Sequence, residues 1–192
     1  MATKPQAKAM AAIHRAQVRD ELRQADEQSL DARVDRYLEV NHAGIIGNHY
    51  FAAASSECIN LYRDGHFIAA VMATQAVNEG MLKFLEERNG LCCANHDDLM
   101  KTLRQRDIMT QKCVGAAEKI WKSFRNDVHH MNPKVSTISF PELARTNLQS
   151  LAVVEGEIFG VDIVDGKLCP KQPKYWDIQS DDTVPVFLRL GI

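Results

Sequence analysis

Arg125-Asn126-Asp127-Val128-His129-His130 carries the side chains of this chain best suited to chemistry. Arginine is a fixed cation whose planar fork can clamp a phosphate, and histidine moves a proton near neutral pH. Attack of a ribose 2′-OH on its own 3′-phosphate needs a base for that hydroxyl. It also needs a cation for charge growing on the phosphoryl oxygens and an acid for the leaving 5′-oxygen. Arg125 can supply the cation and His130 the proton transfer, with Asn126 about one turn before His130 on the same side of a helix. His129 stands beside them as an assisting group. The expected chemistry is phosphodiester cleavage without a metal or any other cofactor. A metal site at His129-His130 is disfavoured, because adjacent side chains on a helix point apart. One helix offers few groups, so a homodimer that brings two such helix ends together is expected to complete a site.

The same residues admit a plainer reading. Arg and His near a helix C-terminus interact favourably with the helix dipole. An Arg followed by His after four residues also recurs by chance. Both readings stand at this point.

The spacing predicts one long amphipathic helix over 110–131, ended by Asn132-Pro133. On a projection of about 100° per residue, Val114, Ala117, Ile120, Trp121, Phe124, Val128 and Met131 share a buried face. Lys112, Glu118, Lys119, Lys122, Arg125, Asn126, His129 and His130 share the polar face, and Asp127 lies at the edge. Lys119 and Lys122 are expected to lead an RNA backbone toward the motif.

Other elements must position that helix. Residues 4–28 favour helix by propensity, with a thin stripe of Met10, Ile13, Val18 and Leu22, and Asp31 is read as the cap of a second segment through Val40. Gly44 and Gly47 break the pattern. A helix is expected from Asn48 to about Arg63, stopped by Asp64-Gly65. The next, from near His66 to Asn89-Gly90, carries Phe67, Ile68, Val71, Met72, Val77, Met81, Leu82, Phe84 and Leu85 on a wide apolar face and reads as the central buried helix. A short polar helix over 96–106 has Asp97 and Asp98 in its first turn. A further helix starts at Pro141-Glu142 and runs to about Phe159. Val161 to Val164 followed by Asp165-Gly166 reads as a strand and tight turn. The remainder reads as an irregular arm with a short strand or two.

The chain has 192 residues, 45% of them hydrophobic, enough for a real core. The net charge of -2 rules out a uniformly basic nucleic-acid binder but leaves room for a local basic stripe. No run approaches the roughly 18 apolar residues of a membrane span. No apolar stretch follows the N-terminal lysines, so no secretory signal is expected and the location is read as cytoplasmic. The five cysteines are odd in number and lack a CxxC, and they are read as reduced thiols. The organisation read from these features is an N-terminal helical extension (1–44), a helical domain (45–160) and a C-terminal arm (161–192), all-α with a small β-leaning tail.

Two segments together resemble the HEPN (higher eukaryotes and prokaryotes nucleotide-binding) family. One is Arg125 to His130, similar to that family's Arg, polar residue and His after four intervening residues. The other runs from Cys58 to Leu85 and resembles its helix, Asp-Gly-aromatic turn and Ala-rich second helix with an embedded Glu. The resemblance covers about residues 45–160. It implies an antiparallel bundle of four to five core helices that dimerises, and a metal-independent endoribonuclease, often a toxin or antiviral-defence effector. Arg125 and His130 carry over as the catalytic pair, with Asn126 as the polar residue after Arg. Glu79 stands where the family often has an acid, placed either to orient Arg125 across the helix interface or to sit satisfied in the core. An antitoxin or defence-system protein is implied as a partner. Toxins paired with nucleotidyltransferase antitoxins follow the His with one residue and then Tyr, whereas Met131-Asn132 follow here, which points away from that class of partner. Other HEPN domains bind RNA, a nucleotide or a protein without cutting RNA, so the alternative expectation is a non-catalytic binding module.

Overall fold

The Ala-, Gln- and Arg-rich N-terminal stretch has too few large apolar residues to bury a face, yet nothing in it interrupts a helix. In the computed structural model, which describes residues 4–40, 42–47, 50–181 and 183–189, it forms one continuous helix, α1 (Lys4–Glu39). The expected restart at Asp31 is therefore absent. Only its last third meets the body. Ser29, Arg33 and Arg36 are partly shielded and Val40 is buried, a three-to-four-residue spacing on one face. Arg36 Nε donates to the Arg63 carbonyl at 2.7 Å, Arg33 pairs with Asp64 at 2.9 Å, and the Tyr62 hydroxyl donates to Glu39 at 2.5 Å.

Two core helices follow the expected pattern closely. α2 (Tyr50–Arg63) and α3 (Phe67–Arg88) form a hairpin. The expected start of α2, Asn48, lies outside the described residues. Gly65 turns the chain with φ +85°, a conformation that costs glycine nothing. Gly80 lets Phe51 lie against the α3 backbone, since a Cβ there would sit 2.8 Å from the Phe51 ring. On α3, Val71, Val77, Met81, Leu82, Phe84 and Leu85 are buried, while Ile68 is exposed. α4 (His96–Gln105) is capped by Asn95, whose side chain accepts from the Asp98 N–H. α5 (Gln111–Trp121) is capped in the same way by Thr110, bonded to the Cys113 N–H.

The long helix expected over 110–131 is broken. After Lys122 and Ser123 the chain passes through Phe124 at φ +55° and restarts as α6 (Arg125–His129). Met131, at φ +50°, ends it ahead of a 3-10 turn at Pro133–Thr137. The break removes the premise of a single helical projection. Phe124 is 38% exposed and Met131 63%, although both were expected on the buried face.

α7 (Phe140–Ile158) packs against α3 and α5. The hairpin of β2 (Val161–Val164) and β3 (Lys167–Pro170) follows, turned by Asp165 and Gly166 at positive φ. Strand β1 (Ile45–Gly47) pairs antiparallel with β4 (Val186–Leu188), Ile46 opposite Phe187. The expected C-terminal arm thus closes on the body. Tyr175 and Trp176 are buried, and the Tyr175 ring lies 5.9 Å from Phe84, which in turn stands 5.8 Å from Phe51 and 5.6 Å from Phe159. The chain is mostly helical, with helices α2, α3, α5 and α7 enclosing the core, and among the described residues no helix is long and apolar enough to cross a membrane. The cysteines are free thiols, with Cys58 and Cys113 buried.

Arg189 fastens the arm. Its Nη2 donates to buried Glu155 and to Ser55, each at 2.5 Å, and its Nη1 donates to the Ala43 carbonyl at 2.8 Å. Replacing Arg189 by Met strands an ionised carboxylate in the core. Urea unfolding should show a loss of about 3–5 kcal/mol, and an Arg189→Met, Glu155→Met pair should lose markedly less.

Candidate functional site

The helix break leaves the Ser123 carbonyl in need of a partner, and a buried amide supplies it. Gln75 on α3 donates from Nε2 to both the carbonyl and the hydroxyl of Ser123, each at 2.8 Å. Asn147 on α7 donates to the same hydroxyl at 3.0 Å, and the hydroxyl donates to the Ile120 carbonyl at 2.5 Å. Gln75, Ser123 and Asn147 are 2%, 6% and 0% exposed, so these bonds form away from water, where an unmade one is costly.

Two rungs then join α6 to α3. Gln75 Oε1 faces His129 Nε2 at 3.1 Å, and Glu79 Oε2 receives a hydrogen bond from Arg125 Nη2 at 2.6 Å. Gln75 and Glu79 are one turn apart on α3, and Arg125 and His129 are one turn apart on α6. Because the Gln75 nitrogen is committed to Ser123, its oxygen is the acceptor, which fixes His129 Nε2 as a donor. Lys83, one turn further along α3, pairs with Glu79 at 3.0 Å. The Lys83 hydrogen bond and the Arg125 charge hold the Glu79 carboxyl below its ordinary range, so it is ionised at neutral pH.

Arg125 has a second support. Its guanidinium carbon lies 4.4 Å from the Trp121 ring centre, and the His96 ring stacks on Trp121 at 3.7 Å, 8° from parallel. Burial, reinforced by the charge of Arg125, holds the His96 imidazole below its usual range, and the ring is neutral at pH 7. Its Nε2 is buried with no hydrogen-bond partner among the described residues.

The expected site residues separate into two groups. Arg125 and His129 are tied to α3. Asn126 and His130 are exposed, one turn apart on the other side of α6, with the His130 N–H bonded to the Asn126 carbonyl at 3.1 Å. Five residues turn about 140° around a helix axis, so Arg125 and His130 diverge within one copy. Lys119 and Lys122 are exposed but precede the break and do not continue the face of α6, and Lys122 pairs with Glu118 at 2.7 Å. Trp121, Lys122, Phe124, Arg125, Asn126 and Asp127 line a shallow hollow of about 300 Å³. Larger hollows, about 620 Å³ beside Glu39 and Gln149 and about 650 Å³ between α4 and α5, do not include the motif.

The helix-dipole explanation weakens for Arg125, which opens α6 instead of ending a long helix, and stands for His129 and His130. Gln75, Ser123, Asn147 and His96 were not singled out from sequence. Gln75 had a findable signal, a polar residue one turn before Glu79 within the apolar run of α3. Among the described residues, no group of three or more His, Cys, Asp or Glu side chains is placed to hold a metal ion.

Gln75→Leu removes both donations to Ser123 and the acceptor for His129. It should lower unfolding stability by about 1–3 kcal/mol in a urea titration. Lys122→Ala, which loses only an exposed pair, should leave the urea midpoint at the parent's value. The His96 stack carries a pH signature. Its folded pKa lies below the ordinary 6.5, so its contribution is complete above that pH and is lost as pH falls through the folded value. Trp121 fluorescence should change in a step centred below pH 6.5, and the step should vanish in His96→Leu.

Comparison with protein-family models, curated proteins and solved structures finds no match.

Proposed function

We propose that the protein is a metal-independent endoribonuclease of the HEPN type, an effector of growth control or antiviral defence that cuts RNA at a composite site between two copies. The observation that supports this reading is the restart of the helix at Arg125. That restart fixes the guanidinium on Glu79 and Trp121 while Asn126 and His130 stay open to solvent. Glu79 occupies one of the five N–H donors of Arg125, and the others remain for a phosphate. In the proposed reaction Arg125 neutralises charge growing on the phosphoryl oxygens. His130 of one copy takes the proton of the 2′-OH as it attacks phosphorus. The P–O5′ bond breaks, and a protonated His130 of the second copy returns a proton to the leaving oxygen. The products are a 2′,3′-cyclic phosphate and a 5′-hydroxyl. Asn126 hydrogen-bonds a phosphoryl oxygen, and His129 holds α6 in place through Gln75.

The grip on Arg125 also supports a second reading, a non-catalytic module that binds RNA, a nucleotide or a protein. A guanidinium paired with an ionised carboxylate and stacked on an indole is well satisfied without any substrate.

Incubation with cellular RNA in EDTA separates the two. The parent should generate 2′,3′-cyclic phosphate ends, with Arg125→Ala and His130→Ala each slower by about 10²–10⁴-fold and Asn126→Ala by less. Variants that cut as fast as the parent would sink the nuclease reading. A parent that binds RNA but leaves it intact, with binding weakened by Arg125→Ala, would favour the second.

A further inference from the structure

From Lys8 to Gln28, α1 runs free of the body. Among the side chains described there, only Ala16 is partly shielded. This stretch is about 32 Å long and has no apolar face wide enough to hold it as a helix by burial within one copy.

Its charges are sorted along the axis. Residues 6–19 hold Lys8, Arg15 and Arg19 and no acid, whereas residues 20–31 hold Asp20, Glu21, Asp26, Glu27 and Asp31 with Arg23 alone against them. Arg15, Arg19 and Arg23 succeed one another at four-residue steps and repel along one row. No acid stands in the first turn, where the helix dipole would favour one. The pattern works against an isolated helix. It suits a partner of the same kind running the other way.

The spacing agrees. Ala11, Arg15, Val18, Leu22, Ala25 and Ser29 alternate steps of four and three, the seam of a two-helix pair. Val18 and Leu22 are exposed on this seam, which continues the face that α1 lays on α2.

We propose that α1 pairs antiparallel with α1 of a second copy, about a twofold axis close to Asp20. That register puts Val18 opposite the partner's Leu22 and Ala11 opposite the partner's Ser29. It puts Arg15 opposite the partner's Ala25 and beside the partner's Asp26. The basic half of each helix lies on the acidic half of the other. The contact is independent of the nuclease reading, and its test reads mass instead of activity.

Sedimentation of the full chain at low salt should show a dimer that dissociates as salt is raised. Arg15→Glu with Arg19→Glu makes α1 acidic throughout, and Asp20→Lys with Glu21→Lys makes its centre basic. Each variant alone should self-associate at least about tenfold more weakly than the parent, and an equimolar mixture of the two should recover a dimer. Leu22→Glu should give a monomer with an unchanged urea midpoint, because α1 there touches no core. A parent that is monomeric at low salt overturns the proposal, whether or not α1 then captures RNA or anionic vesicles. So does a dimer that survives all three changes, or a mixture that stays monomeric.

Discussion

The carbonyl and hydroxyl of Ser123 govern the motif end of the bundle. A helix interrupted in a protein interior is tolerable only where something replaces its missing hydrogen bonds. Here Gln75 from α3 donates to the Ser123 carbonyl, and Asn147 from α7 steadies the residue through its hydroxyl. The replacement has a geometric consequence. With its nitrogen directed at Ser123, Gln75 presents its oxygen to His129, and Glu79 one turn later meets Arg125. A polar row on a mostly apolar helix thus holds the break and sets the rotation of α6. Asn78 continues the row by donating to the Ala117 carbonyl at 3.2 Å, which ties α3 to α5 just ahead of the break. Arg125 is where it is because Ser123 is where it is.

This dependence explains what could be read from the sequence. The hairpin turn at Gly65, the wide apolar face of α3 and the Asp165-Gly166 turn follow from local chemistry and were legible, whereas the local caps Asn95 and Thr110 were not singled out. The break at 122–124 was not. It contains neither glycine nor proline, and Phe124 adopts positive φ despite a bulky side chain. Its cause lies 48 residues away at Gln75 and 24 away at Asn147. A periodic pattern extends across such a point without a mark. The pairing of β1 with β4 was hidden for the same reason, since three residues near Ile46 have no local sign of a partner at Phe187. At the motif, the contact of Glu79 with Arg125 was one of two placements the resemblance left open. The His96–Trp121 stack, joining α4 to the end of α5, had no local signal at all.

The electrostatics of the motif are balanced. Glu79 offsets Arg125, Glu118 offsets Lys122, and Asp127 lies 4.0 Å from Lys134. On the proposed reading, a phosphate arriving here would meet a positioned guanidinium more than a strongly positive field. That favours specificity of geometry over long-range attraction, in keeping with a chain of net charge -2. It also separates two roles that a bare motif merges. A side chain held from two sides, as Arg125 is, loses little freedom when it meets a ligand, whereas the exposed His130 and Asn126 would have more to lose.

On the proposed nuclease reading, a second copy would be called for by the pitch of α6, because Arg125 and His130 diverge by about 140° around its axis. The α1 pairing proposed above would not by itself satisfy that need. An overlap from Ala11 to Ser29 spans about 28 Å, and each body begins where the overlap ends. The two bodies would therefore hang at opposite ends of the helix pair, with both α6 faces uncovered. A composite site would require a different face of the bundle, and a chain with two independent self-contacts forms either a closed ring or an extending array. On this reading the charge-sorted helix sets how many copies gather and at what spacing. The contact made across α6 would then decide whether any two of them share a phosphate.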